Sequence, residues 1–307
     1  MLMQVVVETF LNPIFPVFAI MLVGIIFAKR GLFDVAAAQA INRFVFFVAV
    51  PALLFSLLSR APLGLVDYRL LALYFLSEIV IFAIASIVAR LIFKKGVGEA
   101  ILLGMAASFV NHVFFVLPIA IVLYGEQAAV PITAIIVIDT TIIFAGTIIG
   151  LEIASHRGES LWKVMRLFVR NPVLVAITTG LLVNISGIPV HDGIVTFTTF
   201  TGAAAAPAAL FSLGIILAGT RVTTIDYAAL STTALKVLLH PLIAWLLFTG
   251  LVDIEPVWRD PALLVAAGPC GAMPFVLALQ YKVRAESIGI AIIYSTIASL
   301  FTLSIIA

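Results

Sequence analysis

Ten long apolar runs, parted only by a few charged, glycine or proline residues, restrict what this chain can fold into. They fall at about 10–28, 36–58, 68–93, 98–124, 127–154, 168–188, 193–219, 226–250, 259–281 and 285–306. A helix crosses the hydrocarbon of a bilayer with ~20 apolar residues, so each run is long enough to span. A closed barrel would need ~10-residue alternating strands instead. Only 10% of the residues are charged, against roughly 25% in a soluble domain. So few charges could not cover a water-facing surface, and lipid must be the main solvent. The expectation is an all-α integral membrane protein with short connections and no separate soluble domain. The longest connection is expected near 155–167.

Several function classes drop out. The single cysteine, Cys270, excludes an intrachain disulfide and a cysteine-rich metal site. No basic cluster with interleaved aromatics points to nucleic acid. There is no Walker loop, no H-E-x-x-H and no G-x-S-x-G, so neither ATP hydrolysis nor a familiar hydrolase chemistry is expected. The first run ends at Lys29-Arg30 without a small-residue cleavage site, which reads as a retained helix rather than a signal peptide. No cofactor or metal is expected beyond a coupling proton or sodium ion.

Lys and Arg in short loops orient a polytopic chain. Connections after odd-numbered runs hold Lys29, Arg30, Arg43, Arg90, Lys94, Lys95, Arg157, Lys163, Arg166, Arg170, Arg221, Lys282 and Arg284, while those after even-numbered runs hold only Arg60, Arg69 and Arg259. Thirteen against three puts the odd connections in the cytoplasm and both termini outside.

The chain also repeats itself. Asn12-Pro13 opens the first run and Asn171-Pro172 the sixth; Pro51-Ala-Leu-Leu-Phe-Ser-Leu57 lies in the second and Pro207-Ala-Ala-Leu-Phe-Ser-Leu213 in the seventh. The fourth run ends Pro118…Tyr124 and the ninth Pro274…Tyr281. The offsets are 159, 156, 156 and 157 residues, in one order. A five-helix unit is odd-numbered, so its second copy enters the membrane from the other side. Residues 1–154 and 155–307 are thus expected to be two inverted repeats, an architecture of many alternating-access carriers. A duplication without any transport role is the bland alternative.

On these stretches, together with NPIFPVFAIMLVG (12–24), NRFVFFVAVPALLFSLL (42–58), RNPVLVAITTGLLVN (170–184), LKVLLHPLIAW (235–245) and PCGAMPFVLALQYKV (269–283), the chain resembles the auxin efflux carrier family. That family includes bacterial malonate-type carriers and the plant PIN auxin exporters. The resemblance implies ten transmembrane helices as a 5+5 inverted repeat, similar to sodium/bile-acid symporter and sodium/proton antiporter folds. In that fold helices four and nine are broken and cross near the midplane. Helices one, two, six and seven form a scaffold, and three to five with eight to ten form a moving transport domain. It also implies a permease of the bacterial inner membrane and a homodimer.

Candidate site residues follow from what a bilayer penalises. A proline within a helix frees backbone groups, which in lipid must be buried in protein or line a cavity. The fourth run carries Asn111, His112 and Pro118, and the ninth Pro269, Cys270, Gly271, Ala272 and Pro274. An interrupted helix presents a free amino-terminal end that suits a carboxylate. A substrate site between Asn111-His112 and Cys270-Gly271-Ala272 is expected; prolines that merely kink packed helices are the alternative. Ser56 and Ser212 of the repeated motif are candidates to line the same cavity, although serines often only satisfy backbone carbonyls.

Charged side chains within a span usually mark function. Glu78 in the third run and Lys236 in the eighth stand 158 residues apart, at equivalent repeat positions, so an ion pair between them is expected, structural or proton-exchanging. Asp139, followed by Thr140 and Thr141, could hold a proton or sodium ion, or brace the broken fourth helix; its repeat counterpart is Ser295-Thr296. His112 could donate a proton to substrate, and His240 reads as structural. The leading expectation is a secondary transporter of a small organic anion, a mono- or dicarboxylate or an auxin-like indole acid, working by an elevator or rocking motion. A cation/proton antiporter using Asp139 and Glu78, or a membrane sensor without flux, remain as alternatives.

Overall fold

The computed structural model describes residues 12–61, 64, 67–155, 171–219, 225–252 and 254–306. The basic connection expected near 155–167, with Arg157, Lys163, Arg166 and Arg170, lies almost wholly outside the described residues, as does Arg221. Among the described residues the chain is helical throughout, and its only extended pairing is a single bridge.

The helices are α1 (Asn12–Lys29), α2 (Val35–Leu58), α3 (Tyr68–Leu91), α4 (Val97–Ser108), α5 (Leu117–Tyr124), α6 (Ala129–Ser155), α7 (Pro172–Ser186), α8 (Asp192–Gly219), α9 (Tyr227–Gly250), α10 (Pro256–Ala267), α11 (Met273–Gln280) and α12 (Glu286–Ile306). Six of them, α2, α3, α6, α8, α9 and α12, are long and apolar enough to cross a membrane unaided. The fourth and ninth apolar runs are not continuous helices: each divides into two short ones, α4 with α5 and α10 with α11. Large apolar side chains point outward, as lipid permits and water does not; Phe200 is 82% exposed.

Local chemistry sets the starts and bends. Asp34, Asp67, Asn171 and Asp226 cap α2, α3, α7 and α9 by accepting from backbone N–H groups of the first turn. Widened, π-helical turns occur at Val45–Ala49, His112–Val116 and Leu235–Leu239. Each lies just ahead of a proline, Pro51, Pro118 or Pro241. At Pro51 and Pro241 the proline ring pushes away the carbonyl four residues before it, at position 47 or 237, and an extra residue in that turn relieves the clash. A fourth such turn, Asp139–Phe144, has no proline to explain it.

Two groups of helices pack mainly within themselves: α1, α2, α7 and α8 in one, and α3 to α6 with α9 to α12 in the other. The tightest crossing in the first group joins α1 to α8 through Gly24 and Gly214. A side chain on either would strike facing backbone, at the Phe211 carbonyl or the Met21 carbonyl. Hydrogen bonds join the two groups, a buried one from Asn42 Nδ2 to the Val276 carbonyl (3.0 Å) and a part-buried one from Asn171 Nδ2 to Tyr281 Oη (3.4 Å).

Candidate functional site: the crossing of two broken helices

α4 stops at Ser108, and Phe109 turns extended (φ −73°, ψ 126°); helical geometry resumes only at His112. α10 stops at Ala267, with Gly268 extended, and α11 begins at Met273. The two interruptions lie side by side. Val110 and Cys270 pair as an antiparallel bridge, the Asn111 N–H donates to the Pro269 carbonyl at 3.1 Å, and the Gly271 N–H donates to the Phe109 carbonyl at 3.0 Å. Each break thereby satisfies groups the other leaves open, which is what a dry interior demands of irregular backbone. Gly271 permits the approach: a Cβ there would stand 2.9 Å from Phe109 Cδ1 and 3.0 Å from the Val110 oxygen.

The carboxyl ends of α4 and α10 converge on one ammonium. Lys236 Nζ donates to the Ser108 carbonyl and the Ala266 carbonyl, both at 3.2 Å, and lies 2.9 Å from His240 Nδ1. His240 Nε2 in turn lies 3.2 Å from Ser77 Oγ. Two helix ends, each with partial negative charge, thus share a fully buried cation.

The opposite, amino-terminal ends face a cavity. Neither Asn111, before the turn leading into α5, nor Ala272, before α11, provides a side-chain cap. The cavity offers about 70 Å³ of room to water-sized molecules, and Asn111, His112, Thr140, Gly271, Ala272 and Met273 contribute to its wall. The rest is apolar, from Val50, Leu53, Leu54 and Leu57 on α2, Ala206 and Leu210 on α8, and Phe109, Val110, Ile136 and Phe144. His112 connects the cavity to a buried carboxylate: its Nε2 lies 2.7 Å from Asp139 Oδ2, at ion-pair distance but without hydrogen-bond alignment. A roomier hollow near Trp245 and Arg259 holds neither break.

The family described as membrane transport protein matches residues 9–307. The chain belongs to this family, the auxin efflux carriers. Among curated relatives, a Rhizobium meliloti protein named "Putative malonate transporter" is 25% identical over 302 residues, covering 95% of this chain and 92% of the relative. An "Uncharacterized transporter" of Methanothermobacter thermautotrophicus is 28% identical over 297 residues, covering 94% of each. These are transporters by family and by name, not enzymes.

Not every expected site residue of this auxin efflux carrier family member reaches the cavity. Asn111, His112, Gly271, Ala272 and Thr140 do. Pro269 and Pro274 flank the second break and Pro118 stands in the first turn of α5. Cys270 does not line it: successive residues of an extended segment point to opposite sides, and Cys270 is buried with its N–H donating to Ser295 Oγ at 3.1 Å. Ser56 and Ser212 do not either. Ser56 Oγ contacts Thr199 Oγ1 (3.2 Å) and the Arg60 guanidinium, and Ser212 Oγ donates to the Ala38 carbonyl at 3.1 Å. Two residues along a helix is about 200° of rotation, so when Leu54 and Leu210 face the cavity, Ser56 and Ser212 face away.

The expected direct pair between Glu78 and Lys236 is not formed either. Lys236 is occupied by carbonyls and His240, and both Glu78 carboxyl oxygens lack a hydrogen-bond partner among the described residues. Thr140 Oγ1 donates to the Ile136 carbonyl at 2.6 Å. The residues that sequence reasoning missed are the apolar ones, yet a signal existed. Val50 and Ala206, like Leu54 and Leu210, stand 156 apart at equivalent places around the repeated motif, and all four line the cavity.

Proposed function

We propose that this transporter moves a small organic anion, best a short mono- or dicarboxylate, across the bacterial inner membrane, binding it where the two broken helices cross. The observation that carries the reading is a single cavity bordered by two uncapped helix starts, Asn111-His112 and Ala272-Met273. Open N–H groups at a helix start, with the helix dipole behind them, favour an anion by about 0.3–1 kcal/mol each and up to ~2 kcal/mol when partly buried. At the second start Pro274 has no N–H and the Phe275 N–H is bonded to the Ala272 carbonyl, so Met273 supplies the open donor there. The two starts together suit the two carboxylates of a short diacid. The walls opposite are aliphatic and match a methylene or hydrocarbon body. No lysine or arginine lines the cavity among the described residues, which disfavours more highly charged substrates. The malonate name of the Rhizobium relative agrees with this chemistry.

The packing supports a motion of one helix group against the other. In this reading ten spans form two inverted five-helix repeats, α1, α2, α7 and α8 are the scaffold, and α3 to α6 with α9 to α12 carry the substrate as one body. The tight Gly24–Gly214 crossing lies within the scaffold, and the α4–α10 crossing, with Lys236 behind it, lies within the moving body. The substrate rests between the two, against Leu54 and Leu210. Sliding one group along the other, as an elevator, would change the side to which the cavity opens. In this reading both termini lie outside, which the charge bias of the loops supports, and the protein is a homodimer, which the family resemblance supports.

A thermal-shift screen of purified protein against malonate, succinate, acetate, citrate and indole-3-acetate tests the substrate class, with and without sodium. Stabilisation by short carboxylates, abolished in Asn111→Ala, is expected. No response to any organic acid, together with sodium-driven proton flux in sealed liposomes, would instead support an antiporter built on Asp139 and Glu78.

A further inference from the structure

Behind the cavity lies a cluster that anion binding does not use. Glu78 on α3 is fully buried, and among the described residues neither of its oxygens has a hydrogen-bond partner. It lies within interaction range of Asp139 on α6, also fully buried, whose Oδ2 faces His112 Nε2 at 2.7 Å. His112 borders the cavity itself. The other titratable groups facing this cluster are Tyr74 on α3, Lys236 and His240 on α9, and Cys270. Lys236 already serves two helix ends and His240, so it does not pair directly with Glu78.

An ionised carboxylate without any donor in a dry interior is among the most unfavourable arrangements a protein can hold. Two buried carboxyls within interaction range of each other cannot both stay ionised cheaply. The geometry assigns a different state. We propose that Glu78 carries a proton, exchanged through Asp139 and His112 with the substrate cavity, so that each organic anion crosses the membrane together with a proton. This rests on the carrier reading above and adds the coupling ion to it.

The relay conserves its proton at each step. A protonated His112 gives the Nε2 proton to Asp139 Oδ2 and is left as the Nδ1–H tautomer. Once the ring turns its bare Nε2 to the cavity, a hydronium ion there protonates it again and is left as water. Asp139 passes its proton to Glu78 and returns to the carboxylate. When the cavity opens to the other side the same steps run backward. Thr140 and Thr141 follow Asp139, and Thr140 spends its hydroxyl on the Ile136 carbonyl. Tyr74 Oη and Thr141 Oγ1 are, like the two carboxyls, buried without a hydrogen-bond partner among the described residues, and the sodium arm of the liposome test separates a proton on the carboxyls from a cation held by the same oxygens.

The test uses purified protein in sealed liposomes loaded with a pH-sensitive dye, with radiolabelled malonate outside. For wild type, malonate entry should acidify the lumen, and an inward proton gradient should raise uptake several-fold without sodium. In Glu78→Gln the gradient should no longer stimulate uptake, and Asp139→Asn should behave alike. Folding of both variants is checked by gel filtration. If either fails to fold, the wild-type dye trace still decides. Carboxylate entry without acidification, stimulation by sodium alone, or coupling retained in folded Glu78→Gln would each overturn the proposal while leaving the carrier reading intact. If wild type moves no carboxylate at all, the carrier reading fails first and the relay falls with it.

Discussion

Replacing Lys236 by methionine removes one ammonium and keeps most of the side-chain volume. In the native protein that ammonium makes three contacts, at 3.2, 3.2 and 2.9 Å, with the carbonyls that end α4 and α10 and with His240 Nδ1. Hydrogen bonds to charged groups contribute about 1.5–3 kcal/mol each, but burying an ammonium costs several kcal/mol, so the three do not simply add. What decides the variant is what is left behind. Two helix-end carbonyls and an imidazole nitrogen stay buried without a donor, and Glu78 and Asp139 lose their nearby positive charge. Removing one partner of a buried charged arrangement typically destabilises by about 3–5 kcal/mol. At ~2–4 °C per kcal/mol for chains of comparable size, Tm should fall by roughly 6–20 °C. Intrinsic tryptophan fluorescence during heating in detergent or nanodiscs measures it. Lys29→Met, at an exposed position, is the control and should stay within about 0.5 kcal/mol of wild type. A Lys236→Met protein that melts within ~2 °C of wild type would refute the claim that one cation holds both half-helix ends.

Three further outcomes follow from the same geometry. Gly271→Ala puts a methyl 2.9 Å from the Phe109 ring and 3.0 Å from the Val110 oxygen, so the crossing must spread, and stabilisation by malonate in a thermal-shift assay should be lost. Ser212→Ala removes only a hydroxyl that faces the Ala38 carbonyl, and the KM for malonate uptake should stay within about twofold, whereas Leu210→Gln, in the cavity wall, should raise it about tenfold or more. Asn171→Ala deletes the cap of α7, bonded to Val173 N at 3.0 Å, and its link to Tyr281; chemical denaturation should report a loss of about 1–2 kcal/mol.

Much of this arrangement is legible in the sequence, and what is not has a physical reason. Apolar runs of membrane length announce the solvent because lipid leaves little choice of backbone structure. Proline and glycine at matching places in the fourth and ninth runs mark both breaks, since those residues disrupt a helix whatever surrounds them. Contact across the chain is another matter. Repeat symmetry puts Glu78 and Lys236 at equivalent positions, but equivalence does not determine what an ammonium touches, and helix-end carbonyls claimed it first. The repeated Phe-Ser-Leu motif directs attention to its polar member, yet helix rotation brings the leucines to the cavity and sends the serines to backbone and threonine partners. Ser295 reads only as the counterpart of Asp139. In the structure the two play parallel parts, Ser295 holding the Cys270 N–H beside one break and Asp139 meeting His112 beside the other.

Radiolabelled malonate counterflow into liposomes preloaded with unlabelled malonate, wild type beside Asn111→Ala, tests the central claim most directly, because exchange needs the site and the alternating cavity but no driving gradient. Wild type should accumulate label transiently, and Asn111→Ala should run at less than about a tenth of that rate if open helix ends and the Asn111 amide hold the anion. A wild-type trace no higher than empty liposomes, or Asn111→Ala exchanging at the full rate, would contradict a carboxylate carrier with its site at this crossing.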